Sequence, residues 1–184
     1  MVKRSTIPGY PVNVNTSGPR WLTAEEQAAW RAFLGACQEL FGAVEAQLQH
    51  EEGMPHTYYE ILVRLSETPG RSLRMSQLAE ASASSKSRVS HAVARLEERG
   101  WVRRVDCPTD RRGQIAELTA DGYAALSAAA PGHVEQVRRS LFDVLTPEQV
   151  SHLAAISAAI LAAGDPKRRA ECEDAEAPAD VPVD

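Results

Sequence analysis

The strongest pattern in the chain is a run of apolar positions at Trp30, Leu34, Cys37, Phe41, Val44 and Leu48, spaced by steps of 4, 3, 4, 3 and 4. That spacing keeps one narrow stripe of a helix apolar, as in a coiled-coil seam, so the stripe needs a partner. Thr23 and Glu26 precede it as a capping box, each side chain satisfying a free backbone N–H at a helix start. The predicted helix runs from there to about Gln49. A second helix is predicted over His56–Ser66, with Tyr59, Leu62 and Leu65 inward and Thr68-Pro69-Gly70 as the turn that ends it. Ser72–Met75 suits a short strand, and Ser76–Ala81 a short helix capped by Ser76.

After the small-residue run Ala81–Ser85, Ser85 caps a further helix predicted to reach Arg99, with Gly100 as its stop. Trp101–Val105 and Gln114–Leu118 are β-compatible, and polar Asp106–Gly113 between them predicts a hairpin with a long tip. Thr119 opens a long helix whose apolar face is Leu126, Val134, Val137, Leu141 and Val144, with Pro131-Gly132 expected to kink or interrupt it. Thr146-Pro147-Glu148-Gln149 caps the last helix, with Val150, Leu153, Ser157 and Ile160 along one side. The fold expected is mainly α with a small β-hairpin. Residues 1–20, with Pro8, Gly9, Pro11, Gly18 and Pro19, are expected to form a flexible arm, and 165–184 a disordered acidic tail.

Composition adds a helical bias, since Ala is abundant and aromatics make up only 5% of the chain. A net charge of -5 argues against a uniformly basic protein. The charge is segregated, however. Lys86, Arg88, Arg95, Arg99, Arg103, Arg104, Arg111 and Arg112 outnumber Glu97, Glu98, Asp106 and Asp110 within Ser84–Gln114. Local sign and placement, not the total, decide whether a surface suits phosphate. Cys37, Cys107 and Cys172 form no CxxC pair, and five histidines lack ligand spacing, so no metal and no cofactor is expected. No apolar run is long enough for a membrane span, and no signal-peptide pattern opens the chain, so a cytoplasmic protein is expected. No nucleophile–base pair or phosphate loop points to catalysis.

A short helix, a small-residue turn and a second helix with basic outer residues form the helix-turn-helix pattern. In the second helix Val89, Val93 and Leu96 share the anchoring face. Ser85, Lys86, Ser87, Arg88, Ser90, His91 and Arg95 fall elsewhere, mostly toward the end that meets base edges and phosphates. The hairpin tip carries Arg111 and Arg112, suited to a minor groove, with Asp110 placed to pair with Arg112 and aim it.

The chain resembles the MarR family of bacterial winged-helix regulators over about residues 25–163. The resemblance is carried by Leu73–Glu80, Arg95–Val102, the wing Asp110-Arg111-Arg112-Gly113, Leu118–Gly122 and Leu145–Glu148, in that order. It implies a winged helix-turn-helix with N- and C-terminal dimerisation helices. It further implies an obligate homodimer on a pseudo-palindromic double-stranded DNA operator, with recognition helices in major grooves and Arg112 in a flanking minor groove. The domain expected is 21–164, with a DNA-binding lobe at about 55–118 and dimerisation helices at 21–50 and 119–164. Trp30, Leu34, Phe41, Leu141, Leu153 and Ile160 are expected at the dimer interface.

Proteins similar to this one are often repressors released by a small aromatic or phenolic ligand. The candidates for such a site are Trp30, Phe33, His56, Tyr58 and Tyr59, residue types that more often simply pack in a core. Cys37 reads as a small buried hydrophobe, and Cys107, beside the wing arginines, as the better redox candidate. The competing reading is a winged-helix protein-interaction adaptor that has no use for a basic recognition face.

Overall fold

A computed structural model describes residues 19–82, 84–107 and 110–164, and of Arg111 and Arg112 the backbone alone. The proposed arm, apart from its last two residues, and the acidic tail lie outside the described residues. Six helices and three strands follow in the order α1 (Ala24–Glu52), α2 (His56–Glu67), β1 (Ser72–Arg74), α3 (Met75–Ala81), α4 (Lys86–Glu98), β2 (Val102–Cys107), β3 (Asp110–Leu118), α5 (Ala120–Ser140) and α6 (Pro147–Gly164). Single turns of 3₁₀ helix fill Pro69–Arg71 and Phe142–Val144.

The chain divides within α1 into a unit ending at Glu39 and a unit beginning at Leu40. In the first, the Thr23 N–H donates to Glu26 at 2.7 Å and the Glu26 N–H to Thr23 at 3.1 Å, the reciprocal cap expected from the sequence. Trp30 and Phe33 are exposed neighbours with ring centroids 6.4 Å apart.

The second unit holds the core. Leu48 and Met54 meet Ile61, Leu62 and Leu65 of α2, Leu78 of α3, and Val89, Val93 and Leu96 of α4. Val102, Ala116 and Leu118 of the sheet and Leu126 and Ala129 of α5 complete it. Each large side chain buried there contributes about 1.5–3 kcal/mol. The sheet is antiparallel with β3 central, in the order β1-β3-β2.

Most helix starts match their sequence signals. Ser85 accepts the Arg88 N–H at 3.3 Å, and Thr119 the Gly122 N–H at 3.0 Å. Thr146 and Gln149 cap α6 reciprocally at 2.8 and 3.2 Å. At the end of α4 the Gly100 and Trp101 N–H groups return to the Glu97 and Leu96 carbonyls, which requires the positive φ of 74° at Gly100.

Four expectations are corrected. Ser76 does not cap α3: the helix starts at Met75, and Gln77 accepts the Arg74 N–H at 3.3 Å instead. The hairpin tip is shorter than expected, because β2 continues through Cys107 and β3 begins at Asp110: Asp106 pairs with Gln114 and Cys107 with Asp110, with an irregularity in the ladder between the two pairs. Pro131-Gly132 does not break α5. Pro131 is exposed, where water can serve the carbonyl one turn earlier, and Gly132 is a packing notch: a Cβ there would collide with the Glu51 carboxylate and the Gln47 amide of α1. Finally, α5 stops at Ser140, so Leu141 and Val144 are not part of its helical face, and Val134 and Val144 are exposed.

Candidate nucleic-acid interface

The face of α4 opposite its anchors is open. Val89, Ala92, Val93 and Leu96 are buried, whereas Ser85, Lys86, Ser87, Arg88, His91 and Arg95 are exposed and Ser90 is half-buried. A groove of about 510 Å³ runs between the start of α2 (Pro55, Thr57, Tyr58) and the Arg88, His91 and Arg95 side of α4. Arg95 is steadied by Glu98 at 2.7 Å. Among the described residues Lys86 and Arg88 make no ion pair, leaving cations at the positive end of the helix dipole, where an anionic backbone is attracted.

The remaining basic residues divide by their partners. Arg99 donates to the Gly53 carbonyl at 2.9 Å and lies over the Trp101 ring at 4.9 Å, tying the end of α4 to the α1–α2 connection. Arg103 pairs with Glu117 directly across the ladder. Arg104 pairs with Glu97 of α4 at 3.0 Å and donates to the Ser90 carbonyl. The excess of charge counted along Ser84–Gln114 is thus partly neutralised, and among the described residues the cations without an ion pair on this face, Lys86 and Arg88, lie in the first turn of α4.

In the wing, the Asp110 carboxylate lies 4.0 Å from the Arg74 guanidinium. Gly113 makes room for it, since a Cβ there would sit 3.1 Å from an Asp110 oxygen and 3.2 Å from the Cys107 Cβ. The expected contact between Asp110 and Arg112 falls on a side chain outside the described residues. Arg74 was missed in the sequence because its partner is 36 positions away.

The aromatic candidates are divided between the two units. Trp30 and Phe33 lie in the first unit, and Tyr58 lines the groove beside Arg88. His56 and Tyr59 gather around His133 of α5, at ring-centroid distances of 6.1 and 4.3 Å, with Phe41 6.2 Å from His56. Glu45 accepts the His56 N–H at 2.8 Å, which caps α2. Burial, and then the neighbouring His56, hold the His133 pKa below the ordinary value, while burial raises Tyr59. His133 was not among the candidates, and only its pairing with α2 reveals it.

Of the cysteines, Cys107 is buried at the tip end of the wing strand β2 and Cys37 is only half-buried, the reverse of the exposure the sequence suggested. Among the described residues no three His, Cys, Asp or Glu side chains gather to hold a metal ion, and no single helix is long and apolar enough to cross a membrane.

Residues 52–113 match the model of the MarR family. The transcriptional regulator HosA of Escherichia coli O111:H- is 35% identical over 95 residues, 51% of this chain and 69% of HosA. Sco3205, a MarR family transcriptional regulator from Streptomyces coelicolor solved in complex with DNA, is 54% identical, with a TM-score of 0.76 over 81% of this chain and 92% of that one. AbsC, another MarR family regulator from Streptomyces coelicolor, is 45% identical, with a TM-score of 0.70 over 75% and 93%.

Proposed function

The chain belongs to the MarR family of DNA-binding transcriptional regulators, and from that footing we propose that it is a homodimeric, sequence-specific repressor that acts in the cytoplasm and is released by a small aromatic ligand. The observation that most supports it is the outer face of α4. Lys86, Arg88, His91 and Arg95 are exposed there in an acidic chain, while Arg99, Arg103 and Arg104 turn onto protein partners. Residues 55–118 then serve as the DNA-binding lobe, with Arg111 and Arg112 as the wing cations and Asp110 orienting Arg112.

The homodimer reading draws on apolar surface left open. No side chain of α6 is buried, although Ile156, Ile160 and Leu161 are apolar, and Trp30, Leu34 and Phe41 of α1 are exposed. Exposed apolar side chains of this kind suit burial in an interface, with 21–50 and 119–164 as the dimerisation helices. A two-fold dimer reads an inverted repeat with half-site centres about 10 base pairs apart. The ligand reading draws on Phe41, His56, Tyr59 and His133, which place aromatic faces and polar ring edges together.

The test is sedimentation of the wild type, followed by a shift assay on DNA flanking its own gene with and without phenolic acids. A dimer that shifts one inverted repeat, and is released by such an acid, is expected. A well-folded monomer refutes the homodimer. A dimer indifferent to all DNA returns the adaptor reading.

A further inference from the structure

We propose that Arg104 and Glu97 are positioning residues for DNA recognition, forming a strut that sets the angle between the recognition helix and the wing. The proposal rests on the DNA-binding reading above. Arg104 stands two positions after Val102 on β2, so strand alternation sends both side chains to the face that packs on α4. Its Nε lies 3.0 Å from Glu97 Oε2, an ion pair that lacks hydrogen-bond geometry, and its Nη2 donates to the Ser90 carbonyl at 3.0 Å. The other Glu97 oxygen accepts the Arg104 backbone N–H at 2.9 Å.

One guanidinium therefore grips α4 at two points seven residues apart, about 10 Å along its axis, and Glu97 grips both the side chain and the backbone of β2. The two side chains are only 22% and 33% exposed, so the pair is better shielded from salt than a surface pair. The fork of the arginine matters, because its separated nitrogens are held in a rigid plane, whereas a lysine offers its donors from a single nitrogen on a flexible stem. Ser90 lies among the residues proposed to face DNA, and β2 leads into the wing that carries Arg111 and Arg112. The strut thus joins the two elements that must enter neighbouring grooves together. Arg104 itself is spent on protein and gives no phosphate contact.

The experiment uses a duplex selected by the wild-type protein from a random-sequence pool. Affinities are measured for wild type, Arg104→Met, Arg112→Ala and the double variant at two salt concentrations, with a thermal melt of each. Arg104→Met is expected to weaken binding about tenfold, and the double variant to fall no more than about twofold below the worse single one, because a wing that is no longer aimed has little left for Arg112 to lose. Arg104→Lys, which keeps the Glu97 contact, is expected to recover part of the loss. Losses that multiply in the double variant, each lowering the salt slope separately, would overturn the strut and make Arg104 an independent phosphate contact. An Arg104→Met protein that melts lower while leaving the effect of Arg112→Ala unchanged would overturn it too. If the wild type selects no duplex, the DNA-binding reading falls first and takes the strut with it.

Discussion

Arg88→Ala separates recognition from stability more cleanly than other changes on α4. Arg88 is the third helical residue after the Ser85 cap, and the cap uses its backbone N–H, which alanine retains. Its side chain is exposed and, among the described residues, makes no ion pair. The folded state therefore loses no contact, and the higher helix propensity of alanine offsets any small entropic change, so stability should move by less than about 0.5 kcal/mol. A base-reading arginine is worth about 1–3 kcal/mol of discrimination, and a dimer loses two of them. The variant should therefore lose about 2–6 kcal/mol on the operator, at least about thirtyfold in affinity, and far less on a scrambled duplex. Fluorescence anisotropy on both duplexes, with a urea melt as control, measures the two quantities separately. Equal losses on both duplexes would make Arg88 a phosphate contact, and no loss on either would remove α4 from the interface.

Asp110→Ala should weaken operator binding although it removes a negative charge, because it frees Arg74 and the wing from an orienting carboxylate; tighter binding in the same assay would refute that role. Burial, and then the neighbouring His56, lower the His133 pKa, so its folded value lies below the unfolded value of about 6.5. The unfolded chain then takes up the proton first as pH falls, and stability should decline from about pH 6.5 downward through the folded pKa. In His133→Gln that decline should flatten, and melts at several pH values that keep the wild-type slope would refute the assignment. Gly132→Ala should move stability by less than about 1 kcal/mol, since the new methyl meets only the far ends of the Glu51 and Gln47 side chains, and losing their 2.7 Å hydrogen bond is offset by the helix propensity of alanine. A melting temperature lowered by more than about 5 °C would mean that the two side chains cannot swing aside.

The features legible in the sequence were those whose chemistry lies within three or four residues. Thr23 with Glu26, Ser85 with Arg88, Thr119 with Gly122 and Thr146 with Gln149 are each complete in a single helical turn, so helix starts could be placed without tertiary knowledge. The anchoring face of α4 was legible for the same reason, through the 3.6-residue period of Val89, Val93 and Leu96. Features set by a distant partner were not. The polarity of Asp106–Gly113 suggested a loop because strand pairing, not residue type, decides whether such a segment is extended. Pro131-Gly132 suggested a break because nothing local announces that α1 needs a notch at that height.

The basic segment shows the same limit at the site itself. Counting charge along Ser84–Gln114 treated Arg88 and Arg104 alike, yet one faces solvent and the other is clamped between a carboxylate and a carbonyl. Periodicity could have separated them. With Val102 buried, alternation puts Arg104 on the inward face of β2, and an inward arginine requires an anion, for which Glu97 on the adjoining helix is one candidate. A basic stretch is therefore better read one element at a time, by asking which cations the local period leaves outward. Lys86, Arg88 and Arg95, the cations proposed to face DNA, stay outward on α4 by that criterion, and Arg104 turns inward against Glu97.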